Sequence, residues 1–62
     1  MMYTINSECG VENFEAESIE AAKDQYSKIH GYDFDGVADY PGSWYFIAVD
    51  GVRVEDHTEE MP

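Results

Sequence analysis

Within residues 2–6 the apolar Tyr3 and Ile5 alternate with polar residues, and within residues 11–16 Phe14 and Ala16 do the same, which is the period of a half-buried β-strand. The segment between them is polar and ends in Gly10, a residue that favours turns. The start of the chain therefore predicts two strands joined as a hairpin.

Residues 18–30 follow a helical period. The apolar residues that recur on one face of this helix are Ile19, Ala22, Tyr26 and Ile29. Ser18 is a preferred N-cap residue, and Gly31 is able to adopt the left-handed conformation that ends a helix. The pattern predicts an amphipathic helix over residues 18–30.

The second half of the chain predicts strands and turns. Residues 36–40 are a candidate short strand, and Pro41-Gly42 is a turn pair. Residues 43–49 form the most apolar run, with apolar side chains on both faces, which is typical of a central strand.

Asp50-Gly51 is a strong signal for a two-residue hairpin, and it predicts a last, edge-like strand that begins at Val52. From residue 56 onward the chain has no period. We expect an acidic tail that is frayed over about residues 57–62.

Together these elements predict a single α+β domain over residues 1–62 with the order β-β-α-β-β-β. One amphipathic helix packs on one face of a small antiparallel sheet. The other face has no second layer and is available to a partner. That face presents one of two sets, Tyr45, Ile47 and Val49 or Trp44, Phe46 and Ala48.

The chain carries a large excess of acidic residues. Its 62 residues include 14 acids and 3 bases, a formal net charge of −11. Because 44% of the residues are hydrophobic and 15% aromatic, we expect a folded domain and not a disordered acidic tail. A surface of this sign repels nucleic acid and anionic membranes and attracts basic partners. We expect a monomer that binds protein, with a dimer through the uncovered face as the alternative.

The sequence contains no recognisable catalytic, metal or cofactor pattern. Cys9 is the single cysteine, which excludes a disulfide scaffold and a Cys-rich zinc site, and nothing places it beside His30 or His57. Residues 33–36 are similar to the middle of a calcium loop, but glycines fall where the first and last ligands are required. We therefore expect no enzyme, no metal and no cofactor.

No apolar run approaches the ~20 residues of a membrane helix. The N-terminus lacks the basic and apolar regions of a signal peptide. We expect a cytoplasmic protein.

The acidic residues are the remaining candidates for function. A charge-rich face is most often only a solvated face, but here the excess is large. Acids at alternate positions of a strand stand ~6.8 Å apart, a regular spacing that could substitute for DNA phosphates. The candidate partner-binding residues are Glu12, Glu15, Glu17, Asp33, Asp35, Asp39, Glu55 and Asp56. Glu20 and Asp24 add a helical edge, and Tyr32 and Tyr40 are candidate exposed anchors.

Two stretches carry a resemblance to a known group of proteins. They are Phe14-Glu15-Ala16-Glu17-Ser18 with Ala21-Ala22-Lys23, and Trp44-Tyr45-Phe46 leading into Asp50-Gly51-Val52-Arg53. They resemble small phage-encoded anti-CRISPR proteins that act on type I systems. The resemblance implies inhibition of a crRNA-guided surveillance complex (Cascade) in a bacterial host, with an acidic member mimicking the protospacer-adjacent DNA. Because some members use basic residues, no individual contact residue is carried over.

Two other functions stay open. One is a small interaction module that docks through its uncovered sheet face or adds a strand at a sheet edge. The other is an antitoxin-like neutraliser of a basic toxin.

Overall fold

The computed structural model describes residues 1–37 and 40–58. Within them the chain forms β1 Met2–Ser7, β2 Gly10–Glu15, α1 Ile19–His30, β3 Trp44–Val49 and β4 Val52–Thr58. The strands form one antiparallel sheet in the order β2-β1-β3-β4. α1 lies across one face of this sheet, in contact with β1 and β2. The predicted α+β class and the order of strands and helix are confirmed.

Both hairpins close at the predicted turns. Asp50 and Gly51 are the two central residues of the β3–β4 turn and have φ values of 50° and 86°, the left-handed values that a type I′ turn requires. In the β1–β2 turn, Ser7 Oγ accepts the backbone N–H of Cys9 at 3.0 Å. This local bond fixes the reversal of the chain before Gly10.

Local signals also fix both ends of α1. Ser18 is extended, and its Oγ accepts the N–H of Ala21 at 3.2 Å, a cap whose loss costs about 1 kcal/mol. Gly31 adopts φ 69°, and its N–H donates to the Ser27 carbonyl at 2.7 Å. Both bounds agree with the predicted helix. Among the described residues, no helix has the length and apolar character needed to cross a bilayer.

The core lies between α1 and the inner face of the sheet. Its buried side chains are Tyr3, Ile5, Tyr45 and Ile47 from the sheet, Ala22 and Tyr26 from α1, and Ala16, Tyr32 and Val37 from the connecting segments. The predicted helical stripe is confirmed at Ala22 and Tyr26, but Ile29 is 56% exposed. The side chain four places after Tyr26 faces inward instead, since the His30 ring lies 4.6 Å from the Tyr26 ring.

The second face of the sheet is open. Because Tyr45 and Ile47 are buried under α1, the alternate residues Trp44, Phe46 and Ala48 lie on the open face. Of the two sets that the sequence allowed, the second is therefore the exposed one.

β4 is longer than predicted. It runs to Thr58, so His57 and Thr58, the first residues of the predicted tail, pair with β3; residues 59–62 lie outside the described residues. The sequence does not reveal this end of the strand because residues 55–58 are all polar. The register also shifts within β4, leaving Val54 as an extra residue without a partner in β3.

The structure does not show the predicted strand over residues 36–40 in those of its residues that are described. Gly36, Val37 and Tyr40 lie in no strand, and Ala38 and Asp39 lie outside the described residues. The N–H of Tyr40 donates to the Val37 carbonyl at 3.2 Å. A bond between residues three apart is typical of a turn and not of a strand, and Val37 is buried as part of the core.

Candidate functional site

Two of the predicted partner-binding acids make contacts inside the protein. Glu12 lies on the edge strand β2, and its Oε2 is 3.0 Å from His30 Nε2. Glu55 lies on the other edge strand, β4, and its Oε2 is 2.6 Å from both Lys23 Nζ and the Tyr45 hydroxyl. These contacts tie α1 to both edges of the sheet, which is a structural role.

The contact of Glu55 changes its acidity. Its pKa lies below the ordinary value of 4.5: burial would raise it, but hydrogen bonds from Lys23 and Tyr45 and the charge of Lys23 lower it by more. The pKa of Tyr45 is raised, first by burial and then by its hydrogen bond to Glu55. Near neutral pH the carboxylate and the neutral phenol are therefore the stable pair.

Replacing Glu55 with glutamine is expected to lower the free energy of unfolding by about 1–2 kcal/mol at about pH 7, because the amide keeps an acceptor oxygen but loses the charge that holds Lys23. A carboxyl group whose pKa is lower in the folded state stabilises the fold above its unfolded pKa. That contribution is lost as the pH falls through the folded value. The difference between variant and parent should therefore be smaller at about pH 3 than at about pH 7. Urea unfolding at both pH values measures it, and an equal difference at both would contradict this role.

The open face of the sheet carries paired charges. Glu15 Oε1 lies 2.7 Å from the N-terminal amine of Met1, and Asp56 Oδ2 lies 3.9 Å from Arg53. The Arg53 guanidinium also lies over the Phe46 ring, 4.1 Å from its centroid, as a cation–π contact. Two more of the predicted acids thus belong to a face whose charges are largely balanced.

A second surface, beside α1, carries more acid than base. A groove of about 290 Å³ separates α1 from the segment that follows it, with the half-buried Phe34 in its lining. The acids that line it, named the groove acids below, are Glu20, Asp24, Asp33 and Asp35. Lys23 lines the groove too, but its Nζ is held by Glu55. Asp24 pairs with Lys28 at 3.0 Å, one turn away on an exposed helix surface.

The loop half of the groove has its own local order. Asp33 Oδ1 accepts the backbone N–H of Asp35 at 3.0 Å, an Asx turn. Asp33 therefore shapes the loop as well as adding charge, whereas the Asp35 side chain is exposed. Exchanging Asp35 tests the charge of the groove with less disturbance of the loop than exchanging Asp33.

The predicted binding residues lie in different parts of the structure. Asp33 and Asp35 lie in the groove together with the predicted helical edge, and Glu17 is exposed just before the N-cap of α1. Asp39 lies outside the described residues. Elsewhere, Glu12 contacts His30, and the predicted acids that contact a cation are Glu15, Glu55 and Asp56.

The two predicted aromatic anchors differ in exposure. Tyr40 is 65% exposed, as expected, but Tyr32 is only 8% exposed. The reason is an aromatic cluster, because the rings of Tyr26, Phe34 and Tyr45 lie 5.8, 4.8 and 6.3 Å from the Tyr32 ring.

Sequence reasoning missed Glu8. Its Oε2 accepts the N–H of Trp44 at 3.2 Å, linking the β1–β2 turn to the start of β3. The two residues meet because β1 and β3 are neighbours in the sheet, and no local pattern of residues indicates that pairing.

In the part of the chain that the structure describes, no group of three or more His, Cys, Asp and Glu side chains is placed to hold a metal ion. Comparison of the chain with models of known families, with curated proteins and with solved structures gives no match. The basis for a function is therefore the arrangement of charge on the fold.

Proposed function

We propose that this protein binds a basic, DNA-binding surface of another protein and occupies it in place of DNA. The observation that supports the proposal is the uneven distribution of charge. The groove acids lie together beside α1. Asp24 pairs with Lys28, but the other three make no ion pair with a described residue, whereas Glu15 and Asp56 on the open sheet face are both paired with cations.

The three cations of the chain offset only a small part of its negative charge. Lys23, Lys28 and Arg53 are each within 4.0 Å of a carboxylate. Against a formal net charge of −11, these pairs leave a large negative excess to face a partner. A channel of Lys and Arg that neutralises DNA phosphates is attracted to such a surface and is steered toward it over a Debye length of about 8 Å at physiological salt.

The resemblance to anti-CRISPR proteins supplies the partner to test first. In this proposal a phage or mobile element encodes the protein, and it acts in the cytoplasm of the bacterial host. It binds the DNA-binding surface of a type I CRISPR surveillance complex and blocks recognition of the target or protospacer-adjacent DNA. No covalent step is involved, because occupation of the surface is enough to exclude DNA.

Displacement of labelled target duplex from a purified type I surveillance complex tests the proposal. We expect increasing protein to release the duplex, followed by gel mobility shift, while the crRNA stays bound. Ovalbumin, another acidic protein, is the control for charge alone. If the duplex stays bound at every protein concentration, the proposal fails for this class of partner.

The open sheet face supports a second candidate, an interaction module that docks by apolar contact. Met2, Val11 and Trp44 are 46%, 53% and 36% exposed on this face. Such a complex would depend little on salt, which distinguishes it from the proposal above.

A further inference from the structure

A pocket of about 340 Å³ opens at the C-terminal end of α1, between the β1–β2 turn and the segment that leads from α1 to β3. Its volume lies near the lower end of the ~300–1,000 Å³ typical of small-ligand pockets. The pocket is therefore of a size to receive a single long side chain from a partner.

Aromatic and apolar side chains form much of the lining. Tyr32 and Val37 are 8% and 6% exposed, and Tyr40 is 65% exposed. The Tyr32 hydroxyl donates to the Trp44 carbonyl at 3.3 Å, which holds this ring in place. The exposed Tyr40 ring offers a flat surface on which a planar group packs, and the buried Tyr32 and Val37 add apolar lining beside it.

The charged part of the lining is negative. Glu8 and Asp33 both contribute to it, and Glu8 is positioned by the N–H of Trp44. Gly31 also lines the pocket and marks the C-terminal, negative end of the α1 dipole. Burial and, after it, the negative charge of Glu8 raise the pKa of Tyr32 to about 12. The Glu8 carboxylate is therefore close enough to the Tyr32 hydroxyl to act on it electrostatically.

We propose that this pocket receives an arginine side chain of the basic partner. The inference rests on the proposed function and names the group that anchors it. A guanidinium is planar, stacks on tyrosine, gives up its hydration more readily than an ammonium and bonds carboxylates in a two-pronged fork. The same carboxylates disfavour a phosphate or an acidic side chain.

Titration of the ¹⁵N-labelled protein with a short Gly-Arg repeat peptide tests the inference, with a Gly-Lys repeat peptide of equal length and charge as the comparison. We expect the arginine peptide to bind about fivefold more tightly and to shift the amide signals of Gly31, Tyr32 and Ser43. The double variant Tyr40→Ala, Glu8→Gln should bring the two affinities to within about twofold. The glutamine keeps an acceptor for the Trp44 N–H, so the fold is preserved.

The matched control is Val54→Ala, Glu17→Gln, which removes one exposed apolar side chain and one charge away from the pocket. It should leave the preference for arginine unchanged. If both peptides bind the parent protein equally and shift signals along the groove, the arginine pocket is wrong and the proposed function stands. If neither peptide binds at low salt, both are overturned.

Discussion

Replacing Ile47 with alanine is expected to remove a large part of the protein's free energy of unfolding at 25 °C. Ile47 is fully buried in β3, a central strand, where it pairs with the equally buried Ile5. Shortening such a side chain costs about 2–5 kcal/mol. A domain of 62 residues has roughly 3–9 kcal/mol of total stability at 0.05–0.15 kcal/mol per residue, and repulsion among its acids lowers this value.

Urea unfolding followed by circular dichroism measures the effect. Val54→Ala is the control, because Val54 is 53% exposed and has no partner in β3. We expect it to cost about 0.5 kcal/mol or less. If Ile47→Ala also lowers the free energy of unfolding by only about 0.5 kcal/mol, the core position of Ile47 is contradicted.

The affinity for the basic partner is expected to fall more than tenfold between about 50 mM and about 200 mM salt. Added salt screens the attraction between acids and a basic surface and opposes the release of bound ions. The groove acids are exposed to solvent, where this screening acts. A labelled type I surveillance complex titrated with the protein at several salt concentrations gives the slope. A complex that is insensitive to salt would contradict binding through the groove and favour docking on the open sheet face, where Trp44 and Phe46 lie.

Local chemistry explains why much of the fold is predictable. Ser18 and Gly31 set the ends of α1 through bonds within four residues, and Asp50-Gly51 sets the β3–β4 turn by its backbone preference. The end of β4 has no apolar side chain to mark it, because residues 55–58 are all polar, and the extra residue Val54 shifts the register before them. A strand of this kind is recognised only when its partner in the sheet is known.

The acidic surface is less predictable, because a carboxylate's role depends on distant neighbours. Glu12 and Glu55 are on opposite edge strands, and only the placement of α1 across the sheet brings them to His30 and Lys23. Without that packing, every acid in a chain of net charge −11 is an equal candidate. The loop acids of the groove were identified because Asp33 and Asp35 follow the helix closely, and Glu8 was missed because its contact crosses strands.

The central claim is that the groove, and not the negative charge as a whole, contacts the partner. Two triple variants with the same formal net charge of −8, three units less negative than the parent, separate these ideas. The first is Glu20→Gln, Asp24→Asn, Asp35→Asn, in the groove. The second is Glu15→Gln, Asp50→Asn, Asp56→Asn, outside it. Both remove exposed charges and break exposed ion pairs, each of which contributes about 0–1 kcal/mol, and circular dichroism checks that both remain folded.

Displacement of target duplex from the surveillance complex by these two variants is the most direct measurement. We expect half-release of the duplex to require at least about tenfold more of the groove variant than of the parent protein, and at most about threefold more of the second variant. Equal loss in both variants would contradict the central claim, because the net charge and not the groove would then determine binding.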